Sequence, residues 1–327
     1  MNAFSPTSLR LVGIGALITT VCVLPGLVKP HQLDLLIFLF VNLIVAVAYR
    51  LIVIVGEWSF CHIILMGVGA YGAALVTTSF AVTPWLGMVS GPLAATVVAY
   101  VLSFPLLRMR GFYFIVGSFV AGEAIRLCWL KYRAVFGGPS GLVNIPTLEF
   151  AGVDLGSPVP FYFFAFAIAL ISLVAMYRLE KSQFGLTLAS IASSEALAQS
   201  VGVNARRYRA RVFVIAAFFT GVAGSLHAHY LTAVGPDSFG FAPMLAVTVW
   251  VMVGGTGAFS GPILGTIALT GLDELLRDFE QYRAGVYGFL LILTMSFLPK
   301  GLQSVVPLFW GALWHRGRSG RAAPTGR

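Results

Sequence analysis

Long apolar runs, separated by short clusters of charge, proline and glycine, set the pattern of this chain. They are Leu11 to Val28, Leu33 to Tyr49, Phe60 to Phe80, Leu86 to Leu107, Phe112 to Leu130, Phe161 to Tyr177, Val212 to Leu231 and Gly285 to Pro299. Two shorter runs, Pro243 to Val253 and Pro262 to Leu272, flank Gly254-Gly255-Thr256-Gly257. A helix of roughly 18 residues or more reaches across about 30 Å of hydrocarbon. Barrel strands would show alternation over about ten residues instead, and that alternation is not seen. The pattern therefore predicts an all-α, polytopic transmembrane helical bundle of about 10 spans, two of them short or broken.

One stretch departs from the pattern. Arg178 to Arg211 is polar, carries Glu180, Lys181, Glu195, Arg206, Arg207, Arg209 and Arg211, and has helix formers in its middle from Leu188 to Gln199. Short helices lying at a membrane surface are expected there.

Composition supports the membrane reading. Hydrophobic residues make up 58% and charged residues 10%, against about 25% charged in soluble domains. The net charge of +9 could suggest nucleic acid, but the basic residues sit between apolar runs rather than along one solvated face. With the amino terminus inside and ten crossings, one side collects Arg10, Arg50, Arg108, Arg110, Arg178, Lys181, Arg206, Arg207, Arg209, Arg211, Lys300, Arg316, Arg318, Arg321 and Arg327. That is 15 of the 21 Lys and Arg residues, the bias that a cytoplasmic face carries. Both termini and the polar stretch are expected to be cytoplasmic. The first run lacks an Ala-x-Ala cleavage pattern and is read as a span rather than a signal peptide. Residues 1–314 are expected to form one membrane domain, with 178–211 as its cytoplasmic segment. Residues 315–327 form a basic tail expected to be disordered and to lie against anionic lipid.

Candidate chemistry is sparse. Cys22, Cys61 and Cys128 each fall inside an apolar run, without metal-ligand spacing, and are expected to be small buried hydrophobes. The phosphate-binding pattern Gly-x4-Gly-Lys-Ser/Thr is absent, as are His-Glu-x-x-His and Gly-x-Ser-x-Gly. His227 and His229 stand two apart, about 200° around a helix, which suits satisfied histidines better than a metal pair. No catalytic residue, metal site or cofactor is expected. Glu123 and Arg126, three apart on one helical face, can pair; they either line a solute path or form a structural ion pair. Arg50 and Glu57 read as marking a turn between spans rather than a buried site. Two segments read as interrupted helices: Gly56 to His62 leading into Gly67-Val68-Gly69-Ala70-Tyr71, and Gly254 to Pro262. Broken backbone at membrane depth often forms a solute site, although Gly67, Gly69 and Gly72 also suit close helix packing.

These residues resemble the branched-chain amino acid ABC permeases of the LivM type, over roughly Asn42 to Leu302. The likeness rests on Gly56-Glu57-Trp58-Ser59-Phe60-Cys61-His62 with Gly67 to Tyr71, Leu107-Arg108-Met109-Arg110-Gly111-Phe112-Tyr113-Phe114 and Gly122-Glu123-Ala124-Ile125-Arg126. It continues through Gly137-Gly138-Pro139-Ser140-Gly141-Leu142 and Gly254 to Gly265. The resemblance implies that the polar stretch is the segment that docks onto an ATPase subunit, with Phe184, Gly185, Glu195, Gly202, Asn204 and Arg207 as its coupling residues. It makes Ser59, His62, Tyr71, Glu123, Arg126, Gly254 and Gly255 candidates for the translocation pathway. Implied partners are cytoplasmic ATPase subunits, a second permease subunit and an external solute-binding protein, besides membrane lipid, with no nucleic acid. Alternating access would carry branched-chain amino acids inward; urea, other amides or small organic acids are the alternatives. Ala192, Ser193, Ser194, Gln199, Trp58 and Cys61 depart from the family pattern and mark a divergent member. A stand-alone secondary transporter would need midplane carboxylates, for which Glu123 and perhaps Glu57 are available. An intramembrane enzyme would need a His, Asp or Ser cluster, which is not seen.

Overall fold

The computed structural model describes residues 25, 30–79, 83–150, 152–276, 285, 286, 288, 289 and 301–304. The expected first span at Leu11 to Val28, most of the last at Gly285 to Pro299 and the tail at 315–327 lie outside these residues.

Every remaining apolar run is a helix. α1 covers Pro30–Val53, α2 His62–Ser79, α3 Pro84–Leu106 and α4 Phe112–Lys131. A four-residue α5 (Arg133–Phe136) precedes α6, Pro158–Lys181. The polar stretch folds as α7 (Gln183–Ser193) and α8 (Glu195–Ser200), and α9 then runs Ala205–Leu231. α10 covers Phe241–Gly254 and α11 Ser260–Leu275. Among the described residues seven segments are long and apolar enough to cross a membrane: α1, α2, α3, α4, α6, α9, and Pro236–Gly254, which is a 3-10 turn continued by α10. Proline opens α3 and α6, where its missing N–H would have no helical partner anyway, at Pro84 and Pro158.

α1, α2 and α9 form the centre. Of the most apolar stretch in each span, 78% is buried in α1, 72% in α2 and 67% in α9, but 22% in α4, which places α4 at the periphery. Small residues let α2, α3 and α9 approach closely. A Cβ at Gly69 would lie 2.5 Å from the Gly221 Cα, and one at Gly91 would lie 2.4 Å from the Gly69 carbonyl oxygen. Without a hydrophobic force between helices in lipid, such contact is the main source of helix association.

At the end of the bundle where α4 stops and α6 begins, two small antiparallel pairings close the loops. Leu142–Val143 pairs with Ala233–Val234, and Glu149–Phe150 with Val153–Asp154. The opposite end carries Arg50, Arg110, Glu180, Glu195 and Arg209.

Three expectations need correction. The interruption ahead of α2 is confined to residues 54–61, and Gly67 to Tyr71 lie within an unbroken helix. These glycines serve packing, Gly67 under Trp129 and Phe239, Gly72 against Ala94. Cys61 is buried but Cys128 is exposed, because it sits on the outward side of α4. Arg50 and Glu57 do flank a turn, yet both are buried, at 2% and 5% exposure. Each is met by an opposite charge from a distant part of the chain, a contact that local spacing cannot reveal.

Candidate functional site

The polar stretch is a folded surface hairpin, not a solvated loop. α6 ends at Lys181 and the chain turns at Ser182, where Gly185 comes so close that a Cβ there would lie 1.9 Å from the Glu180 carbonyl oxygen. Phe184 stacks on Tyr208 of α9 with ring centroids 5.6 Å apart, pinning α7 to the bundle. α8 begins at the N-cap Ser194, whose hydroxyl accepts from Leu197 N–H. It ends in two bonds characteristic of a glycine cap: Val203 N–H to Ala198 carbonyl, 3.0 Å, and Gly202 N–H to Gln199 carbonyl, 2.9 Å. Gly202 takes φ +87°, a conformation that side chains disfavour, with open space around it. Asn204 then caps α9 by accepting from Arg207 N–H at 3.1 Å. Of the six residues expected to couple, Phe184, Gly185, Glu195 and Gly202 lie in the hairpin and Asn204 and Arg207 at the adjoining start of α9, with Glu195 facing inward and the Arg207 side chain exposed.

Glu195 is the anchor. Its carboxylate accepts from Arg110 Nη1 and Nη2 at 3.1 and 2.8 Å, from Gln199 Nε2 at 2.9 Å and from Arg209 Nη2 at 2.9 Å. Arg209 reaches on toward Glu57, 3.6 Å from its Nε. Burial pushes the Glu57 carboxyl above the usual carboxylate range, and the charge of Arg209 opposes this. A second ion pair stands beside this one. Arg50 grips Glu180 with both terminal nitrogens and donates from Nε to the Thr256 carbonyl at 3.0 Å. It thereby joins α1, α6 and the 255–259 break. Arg209, Glu180 and Arg110 were not singled out by sequence reasoning; the signal available was charge at span ends, which does not say which charges meet.

The other candidates lie within or beside the helical bundle. Ser59 is fully buried with its Oγ 3.2 Å from the Cys61 Sγ. His62 is fully buried, its Nε2 2.7 Å from the Thr220 hydroxyl, which itself bonds the Ala216 carbonyl at 2.8 Å. Tyr71 stacks on Trp129, centroids 4.6 Å apart. Gly254 faces the Gly261 carbonyl, which a Cβ would meet at 2.0 Å, and Gly255 turns the chain at φ +97°. These five sit inside the isolated chain. Glu123 and Arg126 differ. They pair as their spacing predicts, Nε of Arg126 lying 3.0 Å from both carboxylate oxygens, and Asp237 adds a longer contact of 3.7 Å. Both remain partly exposed on the peripheral α4, and Glu123 lines a small cleft with Phe60, Phe119, Phe241 and Met244. Among the described residues no group of three or more His, Cys, Asp and Glu could hold a metal ion.

The described residues thus form an apolar helical bundle with seven segments able to cross a membrane and a structured surface hairpin. The family described as branched-chain amino acid transport system / permease component matches residues 32–295, and the chain belongs to it. It is 31% identical over 258 residues to the high-affinity branched-chain amino acid transport system permease protein LivM of Escherichia coli (strain K12). That match covers 72% of this chain and 61% of the relative, so the chain spans less than two thirds of LivM. It is 24% identical over 269 residues to the ribose import permease protein RbsC of Haemophilus influenzae, covering 77% of this chain and 80% of that one. The nucleoside ABC transporter permease protein NupC of Lactococcus lactis is 23% identical over 266 residues, 73% of this chain and 82% of the relative. No solved structure matches the chain.

Proposed function

We propose that this chain is the membrane-spanning subunit of an ATP-driven importer, and that it moves branched-chain amino acids inward by alternating access. The observation that carries this reading is the α7–α8 hairpin. It is capped at both ends of α8 and anchored through Glu195, yet it presents Leu186, Leu197 and Val201 at 61%, 70% and 79% exposure. Apolar groups displayed on a rigid polar element outside the spans suit a partner's groove. In this proposal the partner is a cytoplasmic ATPase subunit, which places the hairpin and both termini on the cytoplasmic side. The full chain then crosses about ten times.

The pathway runs along α4, between this chain and a second permease subunit. A carboxylate and a guanidinium left partly open on an otherwise apolar helix would be expensive against lipid, whereas a wet interface solvates them. An external binding protein delivers the solute. The relatives' printed names span amino acids, ribose and nucleosides, and the greater identity to LivM favours leucine, isoleucine and valine over urea, amides or small organic acids. The test is uptake of labelled leucine in cells with and without this chain, competed by isoleucine, urea and benzoate. Loss of uptake on deletion, with competition by isoleucine alone, is expected; leucine uptake unchanged by deletion would overturn the substrate assignment.

A further inference from the structure

Within the importer reading, on which this inference rests, the contacts of Arg209 are unequal in an informative way. Arg209 lies near the start of α9, 13% exposed, between two carboxylates. On one side is Glu195 of the surface hairpin, with four donors from Arg110, Gln199 and Arg209. On the other is Glu57 in the break ahead of α2, likewise buried, at 3.6 Å. That distance is an ion pair but not a hydrogen bond. Glu57 Oε2 and Arg209 Nε are both buried without a hydrogen-bond partner. Buried polar atoms are almost always bonded, and a half-satisfied charged network is less stable than a complete one. A shift of less than about 1 Å would turn the loose contact into a charge-assisted hydrogen bond.

We propose that Arg209 is a positioning residue that relays motion of the α7–α8 hairpin to the break at residues 54–61, tightening onto Glu57 when the hairpin draws Glu195 away. The connection continues inward. Phe60, three residues beyond Glu57, donates its N–H to Ser118 Oγ on α4 at 2.9 Å. Phe60 also lines the Glu123 cleft. A pull on the hairpin thus reaches the α4 face through one arginine, one turn and one backbone hydrogen bond. A rigid element with two arrangements, each biased by a different carboxylate, is what mechanical coupling requires.

The test uses the assembled transporter, this full chain with its ATPase and second permease subunit, in proteoliposomes, reading solute moved per ATP hydrolysed. Arg209→Gln and Glu57→Gln are each expected to lower that ratio by about tenfold, and the double variant is expected to be no worse than Arg209→Gln alone, because both remove one shared contact. Arg209→Lys, which keeps the charge but loses the fork, falls between. Should Arg209→Gln fail to assemble, the nearly isosteric Glu57→Gln carries the same test. Ratios within about twofold of the parent, or effects that multiply in the double variant, would overturn the relay while the importer reading stands. No ATP-driven transport by the parent assembly would overturn both.

Discussion

Arg50, three residues from the end of α1, forks onto the carboxylate of Glu180 at the end of α6, across 130 residues of sequence. Arg50 is 2% exposed, and its guanidinium is met there by that carboxylate and by the Thr256 carbonyl. Together these contacts tie α1, α6 and the 255–259 break to one another beside the proposed coupling hairpin.

Removing one member of a buried pair strands the other. Glu180→Ala leaves the Arg50 guanidinium without its counter-charge and is expected to destabilise the protein by about 3 kcal/mol. Thermal unfolding of the detergent-solubilised chain would register this as a clear fall in midpoint. A midpoint equal to the parent's would show that the pair does not hold these segments.

Helix contact through glycine makes a second, independent prediction. Gly221→Val would drive side-chain atoms into Ala95 and Pro92, whose nearest atoms lie 2.7 and 2.8 Å from the first added carbon. A loss of about 1–3 kcal/mol is expected from such overpacking. Gly271→Ala is the matched control, since nothing lies within 4 Å of the added carbon; it is expected to be neutral or to stabilise α11 by up to about 1 kcal/mol. Equal midpoints for the two variants would contradict the close packing of α3 and α9.

The helices were legible in advance because their causes are local. Apolar runs bounded by Pro84, Gly111 and Pro158 place α3, α4 and α6 within a few residues. Three-residue spacing pairs Glu123 with Arg126. Helix formers from Leu188 to Gln199 in an otherwise polar stretch foretell its short helices, α7 and α8. What was not legible is which distant charges meet. Nothing near Glu57 in sequence points to Arg209, and nothing near Arg50 points to Glu180, so their burial came as a correction. Cys128 was misplaced for a related reason: hydrophobicity says that a run enters the membrane, not which side of the helix faces its neighbours.

The cap at Gly202 links structure to the proposed docking. A side chain at φ +87° is strained by about 1 kcal/mol even with open space around it. Gly202→Val is expected to loosen the α8–α9 junction and weaken co-purification of the ATPase subunit severalfold. Gly202→Asn, which tolerates that region, is expected to retain it. Equal retention by both variants would remove the cap from the coupling account.

Glu57 gives the chain a pH signature. Its carboxyl is raised by burial, so the native state favours the protonated form more than the unfolded chain does. The stability this contributes is fully present below the unfolded value and is lost as pH rises through the folded one. As pH rises above the ordinary carboxylate range, the midpoint of the parent is expected to fall relative to that of Glu57→Gln, which carries no titrating group at that position. Parallel profiles for the two proteins would contradict the burial assigned to Glu57.

The most direct test of the importer account is the energy source of leucine uptake that depends on this chain. With an uncoupler collapsing the ion gradient while cellular ATP is held high, uptake is expected to continue; with ATP depleted and the gradient kept, it is expected to stop. Uptake that fails with the gradient and persists without ATP would mean a stand-alone secondary transporter and would contradict the account.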